Sequence, residues 1–370
     1  LVGSEMCIRD RHIIGTLANG GMESFILNLY RHIDRSRFQF DFVVGSRNGW
    51  CQQYADEIEQ LGGKIYIVPK GLRGVPEFRS ILSEHPEYKI IHCHRDAMSC
   101  FFLLVAKIEG IKCRVTHSHN ASETGLLKKT LTRLLLPFLN SMATHRLACG
   151  REAGEHLYHG HSYKVFPNAI DLSAFSYKEN HALDIRMKLG FNTEDIIIGH
   201  VGRFEYQKNH AFLLDVFSFL NSQNPKTKLL LIGSGSLKDE IVKKVQSLSL
   251  SRSVVFLEQR TDIPDLLQSM DLVIFPSFYE GFSMAMVEMQ AAGLRILASD
   301  QIPHEVNITG SVTFKSIKDG ALQWAQTASS LLKYKKEEVP VQKLYDYGLD
   351  IHNSAKEIQS FYEQLQRASK

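Results

Sequence analysis

Four side chains in the second half of the sequence have the types and spacing that a bound diphosphate demands. Arg203 and Lys208 lie five residues apart in GHVGRFEYQKNH (199–210), just past an apolar run that reads as a strand. Arginine offers a planar fork for phosphate oxygens and lysine a mobile point charge. Two cations at the start of a helix are slightly unfavourable unless an anion joins them. Glu280 and Glu288 bracket a loop-to-helix junction in DLVIFPSFYEGFSMAMVEMQAAGLRILASD (271–300). If the whole interval between them were helical, the carboxylates would stand about 12 Å apart, at ~1.5 Å rise per residue. Ser283 is placed to cap that helix, its hydroxyl accepting from first-turn N–H groups. A helix N-terminus at the carboxyl end of a strand is where α/β proteins bind anions. Each pair taken alone is equally what solvated charges at a helix start would look like.

The first half offers weaker signals. Gly20 and Gly21, in GTLANGGMES (15–24), open a helix and allow close backbone approach to an anion. The loop is not a Walker A sequence, because Gly21-Met22 stands where Lys-Ser/Thr would be. VTHSHN (115–120) puts His117 and His119 at a strand end, with His92 and His94 on a neighbouring strand. Four imidazoles could hold a metal, but no acidic residues stand by to orient them. A single histidine facing the ligand, as a polar or general-base contact, is the better expectation, and no metal is expected. No Asp-x-Asp pair, the closely spaced form that commonly chelates a diphosphate-bound cation, occurs anywhere in the chain. Arg260 and Asp262 follow a further strand candidate at 254–257. Lys128, Lys129 and Arg133 lie near one another in LLKKTLTRLLLPFLN, from Leu126 to Asn140, a helix that could rest on an anionic membrane or simply present a basic solvent edge.

These residues sit in a regular alternation of elements. Strands are predicted at 12–16, 40–44, 64–68, 90–93, 114–117 and 144–149, with helices at 22–33, 51–61, 75–84, 97–108, 125–140 and 151–158. Near-continuous apolar strands separated by helices mean a parallel sheet covered on both faces. The pattern breaks at KVFPNAIDLSAFSY (164–177), whose turn chemistry reads as a connector. A second series follows at 196–201, 210–220, 228–232, 237–248, 254–257 and 263–268, and then the stretch 271–300. Two Rossmann-like domains are therefore expected, at 12–168 and 169–345, with strand ends facing across a cleft. A last helix at 352–367 carries Ile358, Phe361, Tyr362 and Leu365 on one stripe. Residues 1–11, LVGSEMCIRDR, lack a starting Met and a period. Their SEMCIRDR core looks like translated sequencing adapter, so a non-native leader is expected to have replaced the start of the first strand.

Composition narrows the class. At 370 residues, 44% hydrophobic and 22% charged, the chain has material for two cores. A net charge of +3 is too small to argue for nucleic acid, and none is expected as a partner. The longest apolar run, near Cys100, is far short of the ~18 residues a membrane span needs. The six cysteines (Cys7, Cys51, Cys93, Cys100, Cys113 and Cys149) form no Cys-x-x-Cys pair and read as free thiols of a reducing cytoplasm.

Taken together, IGTLANGGMES, RVTHSHN, GHVGRFEYQKNH and FPSFYEGFSMAMVEMQAAG resemble the family 4 glycosyltransferases of the GT-B fold, and within them bacterial exopolysaccharide and capsule transferases. FPNAIDLSAF and ASDQIPHEV add to the likeness. The resemblance implies transfer of a hexose or N-acetylhexosamine from a nucleotide sugar, with UDP the expected nucleotide, with retention and without a metal or other cofactor. The acceptor would be a glycan or a polyprenyl-diphosphate-linked sugar. By the same resemblance Glu288 would hold the ribose hydroxyls and Glu280 would lie near the donor sugar. Arg203 and Lys208 would bind the diphosphate, and backbone around Phe282, Ser283 and Met284 would donate to sugar or phosphate. Arg260 and Asp262 would lie near the base, and Gly20 and Gly21 beside acceptor and phosphates. His119 matches the family's active-site histidine, with His117 as the other register. The last helix would cross back to the first domain. A cytoplasmic enzyme, peripheral at the plasma membrane, is implied. An epimerase of the same fold, or a non-catalytic nucleotide-sugar-binding assembly protein, remains the alternative.

Overall fold

The computed structural model describes residues 8–18, 20–47, 50–120, 126–334 and 339–369. The chain divides into two compact units, Leu1–Ile170 with Gly348–Lys370, and Asp171–Tyr347. The first holds a parallel sheet of β1 (Ile8–Ile14), β2 (Phe38–Val44), β3 (Ile65–Ile67), β4 (Ile90–Cys93), β5 (Cys113–Ser118), β6 (His145–Ala148) and β7 (Lys164–Val165). Its strand order is β3-β2-β1-β4-β5-β6-β7. The second holds β8 (Ile196–Val201), β9 (Thr227–Ile232), β10 (Val254–Leu257), β11 (Leu272–Phe275), β12 (Arg295–Ser299) and β13 (Val312–Lys315), in the order β10-β9-β8-β11-β12-β13. Each order reverses once, between β1 and β4 and between β8 and β11. Loops leaving adjacent strands diverge at such a point and leave a crevice at the strand ends.

Alternation of side chains across the first sheet builds a core on each face. Ile14 and Val44 join Phe25, Phe42 and Tyr54 on one side, while Ile13 and Val43 join Phe78, Phe102 and Leu103 on the other. The helix Ile351–Ser369 closes the first of these cores with Ile351, Ala355, Ile358, Tyr362 and Leu365, spaced as one helical stripe. Tyr362 Oη lies 2.7 Å from His92 Nδ1, and Arg37 pairs with Glu363 at 2.6 Å. In the second unit β11 is apolar and buried at every position, as a strand covered on both faces must be.

Four elements differ from expectation. β1 begins at Ile8 rather than at residue 12, so Arg9, Asp10 and Arg11 are paired in register with β2, and Asp10 and Arg11 also with β4. The backbone ladder on both sides holds this segment whatever its charge. The buried Arg11 guanidinium lies 4.4 Å from the Tyr66 ring centroid and 3.7 Å from that of Tyr88, which supplies cation–π attraction in place of water. Inside the expected connector, β7 adds an edge strand, and a helix follows at Glu179–Lys188. β13 lies in a stretch with no predicted strand. Cys51, Cys93, Cys100, Cys113 and Cys149 are free thiols, and Cys7 lies outside the described residues. No helix among the described residues is long and apolar enough to cross a membrane.

Candidate active site

The loops after β8 and β11 carry Arg203, Lys208 and Glu280, the helix that follows the β11 loop carries Glu288, and strand adjacency makes the two loops neighbours. After β8 the chain makes a short turn at Tyr206–Lys208, then Asn209 takes the left-handed conformation (φ 54°) before the helix His210–Gln223. Asparagine tolerates that backbone better than most residues. Its Nδ2 donates to the Pro276 carbonyl at 3.2 Å, and the Phe278 N–H donates to the Gln207 carbonyl at 2.9 Å. The two loops are thus stitched together by main chain. Gln207 Nε2 donates both to the Tyr279 carbonyl (2.9 Å) and to Glu280 Oε2 (3.2 Å). Lys208 Nζ donates to Glu280 Oε1 at 2.7 Å and lies 4.7 Å from the Phe275 ring centroid. The side chains of Lys208 and Glu280 are only 12% and 8% exposed, so this is a nearly buried ion pair, not a surface one. Arg203 is exposed and makes no ion pair among the described residues.

Glu288 lies within the helix Met284–Ala291, partly exposed, and its carboxylate has no hydrogen-bond partner among the described residues. Burial against its neighbours pushes its pKa up to about 7. Because that helix starts at Met284, Glu280 belongs to the loop, and the fully helical spacing of the two glutamates does not apply. Ser283 is the N-cap by position, with extended backbone, but its buried hydroxyl makes no capping hydrogen bond. Its carbonyl instead accepts from Met286 and Val287 at 3.1 and 3.2 Å. Phe282 stacks on Tyr347, ring centroids 6.3 Å apart. Arg260 and Asp262 form an exposed two-pronged pair, both contacts 2.6 Å, so this guanidinium is already engaged.

The β9 loop, Gly233-Ser234-Gly235, carried no sequence expectation and proves to brace Arg203. The Phe204 N–H donates to the Ser234 carbonyl at 2.9 Å, and Ser236 bonds the Glu205 carboxylate through its N–H (3.0 Å) and hydroxyl (2.9 Å). A Cβ on Gly233 would lie 2.1 Å from the Gly202 carbonyl oxygen, and one on Gly235 2.5 Å from that of Phe204. Only glycine allows this approach, and a Gly-x-Gly directly after an apolar strand was the available signal.

In the first unit Gly20 caps the helix Gly21–His32, again without a side-chain bond. The Glu23 carboxyl folds back so far that a Cβ on Gly20 would lie 2.5 Å from its Oε2. A glutamate three residues into a helix commonly reaches back in this way. The spot where an external anion was expected is therefore taken by Glu23, whose pKa burial pushes up to about 7.

The histidines converge as a linked group. His12 Nδ1 lies 2.9 Å from His94 Nε2, His94 Nδ1 lies 2.8 Å from His119 Nε2, and His119 Nδ1 lies 3.2 Å from Asn168 Oδ1. Ring nitrogens of His12, His92 and His94, and of His94, His117 and His119, fall within 4.8 Å of one another, yet two of those approaches are hydrogen bonds between imidazoles. His117 is buried, its ring 4.2 Å from that of His119, while His119 is partly exposed. Burial holds His92, His94 and His117 well below the usual imidazole range and lowers His119 to about 4, so all four are neutral near pH 7. Both ring nitrogens of His119 face protein partners, His94 on one side and Asn168 on the other. The helix Leu126–Met142 exposes Leu131 (50%) and Leu134 (72%) beside Lys129 and Arg133, while the Lys128 side chain lies outside the described residues.

Known proteins carry the same pattern. A family model described as "Glycosyl transferases group 1" matches residues 182–337, and one described as "Glycosyltransferase Family 4" matches residues 19–174. EpsF of Bacillus subtilis, named as a glycosyltransferase, is 35% identical over 333 residues, covering 86% of this chain and 86% of its own. The UDP-Gal:alpha-D-GlcNAc-diphosphoundecaprenol alpha-1,3-galactosyltransferase of Escherichia coli is 25% identical over 284 residues, covering 71% and 72%. Among solved structures, Anabaena HepE in complex with UDP matches with a TM-score of 0.77 at 17% identity, covering 97% of this chain and 100% of that one. That last likeness is one of fold, and the fold is GT-B.

Proposed function

This chain belongs to the family 4 glycosyltransferases, and we propose that it moves a hexose or N-acetylhexosamine from a UDP-sugar to a lipid-linked glycan during cell-surface polysaccharide synthesis. The observation that carries the reading is the Lys208–Glu280 pair, held by Gln207, with the exposed Arg203 on the same loop as Lys208. Transfer of a sugar builds negative charge on the departing nucleoside diphosphate, and fixed cations in a water-poor site stabilise that charge most. Arg203 is available to it at once. Lys208 reaches it by sharing or leaving Glu280, which frees the Glu280 carboxylate to accept from sugar hydroxyls. Glu288 accepts from the ribose hydroxyls, and N–H groups from Phe282 to Met284 donate to sugar or phosphate. Arg260 and Asp262 border the base.

Support for a metal-independent reaction is the lack of any Asp-x-Asp pair together with the two cations. The donor nucleotide is proposed from the UDP-Gal in the name of the Escherichia coli relative and the UDP bound to HepE. A diphosphoundecaprenol acceptor in that same relative's name supports a lipid-linked acceptor. The exposed Leu131 and Leu134, next to Lys129 and Arg133, suit a peripheral contact with the anionic inner face of the plasma membrane. Membership of the family supports retention of anomeric configuration.

The test is UDP release from a panel of UDP-hexoses and UDP-N-acetylhexosamines with polyprenyl-diphosphate-linked acceptors, in EDTA. Turnover that needs both substrates, survives EDTA and falls by roughly a hundredfold in Arg203→Ala is expected. Full activity in the double variant Arg203→Ala/Glu288→Ala would overturn the site assignment, and conversion of donor without acceptor would favour an epimerase.

A further inference from the structure

We propose that His12 and His94 are positioning residues that hold His119 in a single tautomer, so that His119 Nδ1 presents a hydrogen-bond acceptor to a substrate hydroxyl. This role rests on the proposed glycosyltransferase function, together with the resemblance by which His119 matches the family's active-site histidine. The chain of contacts runs His12 Nδ1 to His94 Nε2 (2.9 Å), His94 Nδ1 to His119 Nε2 (2.8 Å), and His119 Nδ1 to the Asn168 side chain (3.2 Å). A neutral imidazole has one N–H and one lone pair. Both imidazole links can therefore form together only if every N–H points the same way along the chain.

The ends decide which way. At the buried end, Asp10 Oδ2 lies 3.3 Å from His12 Nε2. A carboxylate so close to a ring nitrogen favours N–H there over a lone pair, even away from the ideal hydrogen-bond line. His12 Nδ1 then accepts from His94 Nε2–H, and His94 Nδ1 accepts from His119 Nε2–H. His119 Nδ1 is left with its lone pair. At the outer end Asn168 satisfies it by turning its amide so that the NH₂ faces the ring, an exchange of two atoms that are alike in shape. Four donors would be needed if Asp10 and Asn168 Oδ1 both accepted, one more than three imidazoles with a single N–H each supply. The low basicity that burial imposes on His94 and His119 disfavours the extra proton.

The ring planes are fixed from the side. His92 stacks on His94 at 4.3 Å, His117 lies 4.2 Å from His119, and Phe40 lies 4.2 Å from His12. Tyr362, from the C-terminal helix, engages His92 in turn. The outer link is the longest of the three and lies at the end that reaches solvent. A substrate hydroxyl that takes the place of Asn168 there meets a lone pair and must donate.

The experiment uses the full chain with ¹⁵N-labelled histidine, reading imidazole tautomers by two-bond ¹H–¹⁵N correlation, with the His119 signals assigned from His119→Gln. The wild type should show His119 as a single Nε2–H tautomer. Asp10→Leu should reverse it to Nδ1–H, now donating to Asn168 Oδ1. His94→Leu should leave a mixture and lower kcat by about tenfold with a smaller change in donor KM, the size expected for one misdirected hydrogen bond. His94→Asn, whose amide oxygen can stand in for Nδ1, should restore most of kcat. An Nδ1–H tautomer in the wild type, or a tautomer indifferent to both Asp10→Leu and His94→Leu, overturns the proposal. If the tautomers respond as expected but His119→Ala keeps full turnover, His119's place in the reaction is what fails.

Discussion

Removing one member of the Lys208–Glu280 pair should cost more stability than removing both. Lys208→Met leaves the Glu280 carboxylate, 8% exposed, with only the Gln207 amide as a partner. Stranding one charge of a buried pair typically costs ~3–5 kcal/mol, and the remaining Gln207 bond should reduce this to about 2–3 kcal/mol. Glu280→Gln strands Lys208 instead, but its Nζ keeps the Phe275 ring at 4.7 Å. A cation–π contact of about 1 kcal/mol offsets part of the loss, so roughly 1–2 kcal/mol is expected. The double variant Lys208→Met/Glu280→Gln strands nothing and should lie within about 1 kcal/mol of the wild type. Urea unfolding resolves this in a Trp50→Phe background, because the chain has two tryptophans and Trp324 is buried in the second unit. Turnover should be lost in all three variants, which separates the pair's structural effect from its chemical one. Additive single-variant costs, to within ~0.5 kcal/mol, would refute the coupling.

Other outcomes follow from the same geometry. Burial raises the Glu288 pKa to about 7, so the carboxyl is mostly protonated below that pH and then accepts hydroxyls poorly. Donor KM should therefore rise about tenfold from pH 8 to pH 6, and the rise should vanish in Glu288→Gln; a shared profile in both proteins would contradict the ribose role. Gly233→Ala should destabilise the second unit by about 2 kcal/mol and raise donor KM, because its Cβ would meet the Gly202 carbonyl at 2.1 Å. Wild-type donor binding and stability in that variant would show that the β9 loop does not brace Arg203. Leu131→Ser/Leu134→Ser should weaken co-sedimentation with anionic vesicles while leaving turnover on a water-soluble acceptor unchanged; equal sedimentation would remove this helix from the membrane contact.

Much of the fold was legible because the central strands announce themselves. β11 is Leu-Val-Ile-Phe, apolar at every position, and only a strand covered on both faces uses such a run. β1 was harder. Residues 9–11 read as part of a leader without a period, and what makes them strand is pairing with β2 and β4, which are distant in sequence. At the site, residue types could be read from sequence, but partnerships could not. That Lys208 meets Glu280 depends on β8 lying next to β11, a crossover that no local pattern encodes. The Ser283 hydroxyl failed to cap for a local reason, since the serine is buried and its carbonyl serves the first turn instead. The cue to the folding back of Glu23 over Gly20 is local, its position three residues into the helix. The histidines could be listed as a convergent set from strand adjacency, whereas their order as a chain needed atomic distances.

Titration of the purified chain with UDP in EDTA, followed by calorimetry, tests the central claim most directly. Binding of one UDP per chain in the absence of divalent metal, weakened at least about tenfold in Arg203→Ala and in Lys208→Met, is the predicted result. UDP binding that requires added metal, or that is unchanged in both variants, would contradict the account.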